Sequence, residues 1–243
     1  MLNNEIIVGG IPVLVHSDLH AAVNSVFSFN GDHVIPGLAI AINPEKIMKA
    51  RSDSKLMETL QSASFRFADG IGVVLALRKK GAKKAARIPG CEFWIALMQK
   101  AGQLQQPVFL VGAKPVVLNQ VQEKLVRDFG ANVVGIQDGY FSEAEEDELI
   151  QRIKASGARI VTVAMGSPRQ ELFMSRCRQT YPEAFYMGVG GTYDVFSGNV
   201  KRAPPWTCKL NMEWLYRLVS NPKRFGRQVV LLEYLRLLML KKI

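Results

Sequence analysis

A doubly wound α/β fold with a mostly parallel sheet is the architecture this sequence predicts, on three observations. Apolar runs of strand length alternate with helix-length segments along most of the chain, which is the spacing of βαβ units. Several runs are apolar throughout, residues 37–42 (GLAIAI), 107–112 (PVFLVG) and 158–165 (ARIVTVAM), as strands buried on both faces are. The strand ends lead into loops of small or polar residues starting at Asn43, Asp69, Gly112, Gly166 and Gly190. Loops after parallel strands gather on one sheet edge, where ligands bind in such folds, so these loops should line one pocket.

Taken in order, two short apolar runs around Gly9-Gly10 read as a hairpin. Ser17 is placed to cap a helix reaching about Phe29. After the strand at 37–42, Asn43 is a good helix cap and Pro44 suits a first helical position, so helix is expected through much of 44–62. The strand at 65–69 ends on Asp69, and Gly70-Ile71-Gly72 opens a helix to about Lys80. Asp69 has two available roles: the helix cap that Asp often supplies, or a carboxylate at the edge where chemistry is done. Lys79, Lys80, Lys83, Lys84 and Arg87 form a basic turn, read as solvated. A helix near 92–102, the strand at 107–112 and a helix from Lys114-Pro115 to about Phe129 follow. Then come a strand at 132–136 and a helix to about Ser156, with Ser142 and Glu145 in capping-box spacing. The strand at 158–165, a helix to about Thr180 and a last strand at 185–189 complete the core.

After Gly198 the character changes, which divides the chain into an α/β core, 1–198, and a helical appendage, 199–243. Net charge is +10. Residues 201–243 hold ten Lys/Arg and two Glu, so +8 lies there and the first 200 residues are nearly neutral. Such a balance asks for an acidic partner. Lys201 to Trp206 reads as a linker, and 207–220 and 222–242 as two helices. The last is rich in Leu and Val, and with Arg217, Lys223, Arg224, Arg227, Arg236, Trp206, Trp214 and Phe225 the tail has the composition of a helix lying in a membrane interface. The competing reading packs it on the core. Leu and Val in place of exposed stacking aromatics argue against nucleic acid. No run of apolar residues is long enough to span a bilayer, and Met1-Leu2-Asn3-Asn4-Glu5 lacks the signature of a signal peptide. Cys91, Cys177 and Cys208 are far apart and odd in number, which fits a reducing compartment.

The chemistry is narrowed by what the motifs exclude. His16, His20 and His33 precede the sheet core and form no metal-ligand pattern, so no metal is expected. There is neither a P-loop nor a G-x-S-x-G elbow. Gly70-Ile71-Gly72 is half of a dinucleotide fingerprint, with the third glycine missing, so an NAD enzyme is weakly signalled and no cofactor is expected. What remains is a carboxylate at a strand end, glycine turns, and Gln170 in a helix's first turn. Helix N-termini and backbone N–H groups bind phosphate without a metal. Arg87 and the tail arginines add bidentate phosphate donors, and a carboxylate among them can take a proton from an attacking hydroxyl. This inventory suits transfer of a group from a nucleotide-diphosphate donor to an alcohol.

Read together, Asn43-Pro44-Glu45-Lys46, Ala68-Asp69-Gly70-Ile71-Gly72-Val73-Val74, Arg87-Ile88-Pro89-Gly90, Gly135-Ile136-Gln137-Asp138-Gly139-Tyr140-Phe141, Val163-Ala164-Met165-Gly166-Ser167-Pro168-Arg169-Gln170-Glu171 and Gly188-Val189-Gly190-Gly191-Thr192-Tyr193-Asp194 resemble the WecG/TagA/CpsF glycosyltransferase family. Phe109-Leu110-Val111-Gly112, Arg202-Ala203-Pro204 and Glu213-Trp214-Leu215-Tyr216-Arg217-Leu218 extend the resemblance across nearly the whole chain. It implies a Rossmann-like core with a C-terminal helical membrane-docking appendage that helps close the active site, and metal-independent, inverting transfer. The branch it resembles is the one of enterobacterial common antigen synthesis. That implies UDP-N-acetyl-D-mannosaminuronic acid as donor, undecaprenyl-diphosphate-GlcNAc (lipid I) as acceptor, and a cytoplasmic protein peripheral on the inner membrane and its anionic surface. A homo-oligomer is left open.

Carried over by motif, Asp69 matches the general base. Asn43, Arg87 and Gln170 match pocket positions, Gly190, Gly191 and Tyr193 match the loop near the nucleotide, and Arg217, Arg224 and Arg227 match the region expected to hold the diphosphate. Lys46, Arg87 and Arg169 are candidates for pairing with the acid of the donor sugar. One departure stands out: the teichoic-acid branch carries Thr two residues before the Asn, where this chain has Ala41.

Overall fold

The computed structural model describes residues 5–201, Pro204 and residues 226–243, with side chains from residue 230 in the last segment. Its strands are β1 (Glu5–Val8), β2 (Ile11–Leu14), β3 (Gly37–Ile42), β4 (Phe65–Ala68), β5 (Val108–Gly112), β6 (Val133–Gln137), β7 (Ile160–Ala164) and β8 (Phe185–Gly188). They form a single sheet in the order β1-β2-β4-β3-β8-β7-β5-β6. β1 and β2 pair antiparallel through the Gly9-Gly10 turn, where both glycines take positive φ, 60° and 84°, as a tight hairpin requires. The remaining neighbours are parallel, so the loops after β3 to β8 open on one edge, as the doubly wound reading expects.

The helices are α1 (Leu19–Asn24), α2 (Pro44–Ala50), α3 (Ser54–Ser62), α4 (Ile71–Lys79), α5 (Gly90–Gln103), α6 (Pro115–Phe129), α7 (Glu146–Ala155), α8 (Arg169–Thr180), α9 (Thr192–Ser197) and α10 (Gly226–Met239). Side chains alternate across a strand, and even the unbroken apolar run of β3 divides its residues. Leu38, Ile40 and Ile42 join the layer built with α2, α3, α4, α7, α8 and α10. Ala39 joins the opposite layer with α1, α5, α6 and α9. That second layer is aromatic, with Phe67 stacked on Phe93 at 4.8 Å and Trp94 tilted against Tyr193 at 5.6 Å.

Three elements depart from the sequence reading. The cap of α1 is Asp18, whose Oδ1 accepts from Ala21 N at 2.7 Å, and not Ser17; the helix ends at Asn24, well before Phe29. The helix expected over 44–62 is two helices, because Asp53 Oδ1 accepts from Leu56 N at 2.9 Å and starts a second one after a break at Arg51-Ser52. A strong internal cap competes with helix continuation there. α9 arises where only a glycine loop was expected. The expected capping box of Ser142 and Glu145 is present.

The helix expected over 207–220 lies outside the described residues. α10 packs on the core with one face, bringing Tyr234, Leu238 and Ile243 into the layer of α2 and α4. Tyr234 is fully buried and donates its hydroxyl proton to Gly72 O at 3.1 Å. Lys79 Nζ donates to Leu238 O at 2.9 Å, and Lys80 Nζ to Ile7 O at 2.7 Å, so part of the basic turn is fastening, not merely solvated. The opposite face of α10 leaves Leu232 and Met239 68% and 73% exposed beside Arg236. The core-packing reading therefore holds for one face of the last helix, and the other face is exposed. Among the described residues, no helix is long and apolar enough to cross a membrane.

Candidate active site

β3 and β8 are neighbours, yet α2, which follows β3, and α9, which follows β8, lie in opposite layers. Chains leaving adjacent strands toward opposite faces open a crevice at their carboxyl ends, the usual ligand position in an open α/β sheet. Asn43 and Gly190 flank this crevice. Asp69, after β4, and the loop 165–168, after β7, stand on either side in the strand order.

Asp69 is half-buried and is not the cap of α4; Gly70 holds that position, with no side-chain cap bond. The Asp69 N–H donates to Ile42 O at 3.0 Å, its Oδ1 accepts from Gly90 N at 3.0 Å, and its carbonyl accepts from Arg87 Nε at 2.7 Å. The first residue of α5 thus fixes the carboxyl group by one oxygen. Among the described residues no donor reaches Oδ2. Gly70 is required by proximity: a Cβ there would lie 2.8 Å from Pro44 Cδ and 3.3 Å from Asn43 Cβ. The Asp69 turn and the Asn43 turn are therefore in contact. Asn43 caps α2, its Oδ1 accepting from Lys46 N at 2.9 Å, which leaves its Nδ2 donors without a partner among the described residues.

Behind these loops runs a buried polar chain. Lys46 Nζ pairs with Glu171 Oε1 at 2.9 Å and donates to Ala41 O at 2.9 Å. The same Glu171 oxygen accepts from Gln170 Nε2 at 3.0 Å, and Gln170 Oε1 accepts from Gly190 N at 3.1 Å. Burial pushes the Glu171 carboxyl up, but the Lys46 ammonium and the Gln170 amide outweigh it and hold the group below its ordinary value. Lys46, a candidate partner for a donor-sugar acid, is 8% exposed and is held by this network, so it is not open to a ligand. Arg169 donates to Gly139 O at 3.1 Å and Phe141 O at 2.8 Å and lies over the Phe141 ring. Three successive residues at the start of α8 thereby reach the loop after β6, the loop after β8 and helix α2.

The site residues expected from the sequence are partly brought together. Asn43, Asp69, Arg87, Gln170, Gly190 and Gly191 lie at this edge. Gly190 takes φ 53°, which favours glycine, and a Cβ on either glycine would meet nothing within 4 Å. Tyr193 is buried instead: its hydroxyl bonds Thr162 Oγ1 at 2.6 Å and Thr162 O at 3.0 Å beneath the loop, so it supports the edge from within. Arg217 and Arg224 lie outside the described residues. Arg227 falls in α10, ahead of the residues whose side chains are described. Sequence reasoning passed over Glu171 and Gly90. Glu171 had a signal: buried positions 170, 171, 173, 174 and 177 on α8 form an apolar-type stripe in which two members are polar, as a buried network requires.

A groove of about 450 Å³ lies by the β1-β2 turn, lined by Gly9, Gly10, Arg51, Lys80, Lys242 and Ile243 among others; it holds none of the residues of the crevice. Among the described residues no cluster of His, Cys, Asp and Glu is placed to hold a metal ion.

A family model, Glycosyl transferase WecG/TagA/CpsF family, matches residues 7–243. The match covers the sheet, the crevice loops and the tail alike, and it implies a nucleotide-sugar donor and an acceptor. The chain belongs to the WecG/TagA/CpsF glycosyltransferase family.

Proposed function

We propose that this glycosyltransferase moves N-acetyl-D-mannosaminuronic acid from UDP to undecaprenyl-diphosphate-GlcNAc, giving lipid II of enterobacterial common antigen synthesis, with inversion and without a metal. The observation that carries the chemistry is Asp69, half-buried at the edge with one oxygen held by Gly90 N and the other without a described donor. In this reading Oδ2 takes the proton of the acceptor's 4-hydroxyl. The oxygen bonds the anomeric carbon from the face opposite the nucleotide, and the bond from that carbon to the diphosphate oxygen breaks, releasing UDP. General-base help of this kind is worth about 10²–10⁴ in rate. A fixed donor aimed at the departing diphosphate contributes about 3–4 kcal/mol, the role assigned to Arg87, the Gly191 N–H and the tail arginines Arg217, Arg224 and Arg227.

The acceptor is lipid-linked, so the enzyme must meet it at a membrane. The exposed side of α10 supports this, with Leu232, Met239 and Leu240 beside Arg236, Lys241 and Lys242. Each Lys or Arg near anionic headgroups contributes about 1 kcal/mol. In this reading the protein is cytoplasmic and peripheral on the inner membrane.

Ala41 bears on the donor. Its Cβ lies 3.8 Å from the Cβ position of Gly90, the residue that orients Asp69, so a hydroxyl at 41 would stand beside the reacting centre. Its absence favours a donor other than that of the branch with Thr. The test is incubation with lipid I and a panel of UDP-sugars, with product mass as readout. Transfer of the uronic acid alone is expected. Transfer of N-acetylmannosamine in its place would favour the alternative donor, and no transfer to any lipid-linked acceptor would sink the proposal.

A further inference from the structure

Lys46 and Glu171 sit 8% and 0% exposed, and neither has a chemical step assigned to it. A buried ion pair is weak evidence for stability, because desolvation offsets the attraction. What distinguishes this one is where its hydrogen bonds lead. Lys46 belongs to α2 and also holds Ala41 O, two residues before Asn43. Glu171 belongs to α8 and accepts from the Gln170 amide, whose other end accepts from Gly190 N across the crevice. Glu171 Oε1 carries both contacts, to Lys46 and to Gln170, and Oε2 is buried.

The order of donors and acceptors leaves no ambiguity in the middle. A carboxylate accepts only, so Gln170 must turn Nε2 toward Glu171. That turns its Oε1 toward Gly190, where a backbone N–H is the matching donor. A Cβ on Gly188 would lie 2.6 Å from Gln170 Nε2, so the amide is seated directly on the last residue of β8. The ammonium of one helix thereby bears on the backbone of a distant loop, with Glu171 and Gln170 as the links.

Resting on the donor reading above, we propose that Lys46 and Glu171 are positioning residues: a buried charge clamp that orients the Gln170 amide and, through it, sets the Gly190-Gly191 backbone for the nucleotide-sugar. The clamp joins the starts of α2 and α8 to the loop after β8, so it ties the segments that follow β3, β7 and β8 to one another. Misplacing such groups by a fraction of a bond length lowers turnover without removing any group that touches the substrate.

Single substitutions would leave an unpaired buried charge and unfold part of the population, so the test uses paired ones. Lys46→Met with Glu171→Met removes both charges and the acceptor for Gln170. Lys46→Met with Glu171→Gln removes both charges and keeps an acceptor. Both are expected to fold with a melting temperature near that of the parent. The Met/Met variant should bind UDP about tenfold to a hundredfold more weakly, with a matching rise in donor KM and a smaller change in kcat, and amide exchange at Gly190 should accelerate. The Met/Gln variant should recover most of both. Met/Met with parental KM and parental Gly190 exchange overturns the clamp, and so does a Met/Gln variant as impaired as Met/Met. Because Gly190 exchange needs no substrate, faster exchange in Met/Met alongside a parent that binds no UDP-sugar would support the clamp and overturn the donor reading.

Discussion

Asp69 Oδ1 accepts the backbone N–H of Gly90 at 3.0 Å, tying the end of β4 to the first residue of α5. A side-chain amide can make the same bond through its oxygen. Asp69→Asn should therefore keep the turn and the nucleotide site while losing the proton acceptor. The expected result is kcat lower by about 10²–10⁴, with UDP affinity within a few-fold by calorimetry. Turnover near that of the parent on the lipid acceptor would remove Asp69 from the mechanism.

Gly70 lies where the Asp69 and Asn43 turns touch, with Pro44 Cδ 2.8 Å from the Cβ position. A proline ring cannot swing aside. Gly70→Ala should cost about 1–3 kcal/mol by overpacking, read by urea titration. It should also reduce kcat/KM more than its stability loss explains, since it separates Asn43 from Asp69.

Tyr234 offers a graded test of how α10 is held. Tyr234→Phe loses the bond to Gly72 O and should cost about 1 kcal/mol. Tyr234→Ala also empties the pocket between α2 and α4 and should cost about 3–5 kcal/mol. Equal, small effects from the two would mean that α10 is not packed as described.

Acid stability should be lost in two stages. Burial lowers the pKa of His16, against a smaller opposing pull from Asp18. The folded protein thus binds fewer protons there than the unfolded chain, and stability declines as pH falls below about 6.5, the ordinary histidine value. The Glu171 carboxyl is likewise held low, though its cause is the clamp. Its contribution is present above the ordinary glutamate range and is lost as pH falls through the folded value. Melting temperature against pH should therefore fall first from about 6.5 and again below about 4.3. His16→Gln should flatten the first stage alone.

The strand pattern, the single loop edge and the place of Asp69 at the end of a strand were legible because each follows from short stretches of sequence. Burial on both faces writes an unbroken apolar run, and a parallel sheet then gathers the loops without further instruction. Ser142 with Glu145 was legible for the same reason, since a capping box is written within four residues. The partner of Asp69 was not, because Gly90 looks like any turn glycine until α5 is placed beside β4. Helix 44–62 hid its break because Asp53 reads as one more surface acid. Tyr234 gave no sign that it would enter the core; only the approach of α10 to the bare backbone of Gly72 decides that. Lys46 misled in the opposite direction, as a cation free for substrate, until Glu171 came to meet it from 125 positions later in the chain.

The docking of α10 also sets an order of events during synthesis. Ile243 approaches Gly9, within 3.9 Å of the Cβ position there, and Tyr234 closes over Gly72, so a segment translated late shields elements translated early. Until it emerges, the nascent polypeptide carries an uncovered greasy strip along α2 and α4. Translation halted before Tyr234 should leave a chain that chaperones capture, whatever the state of the sheet beneath.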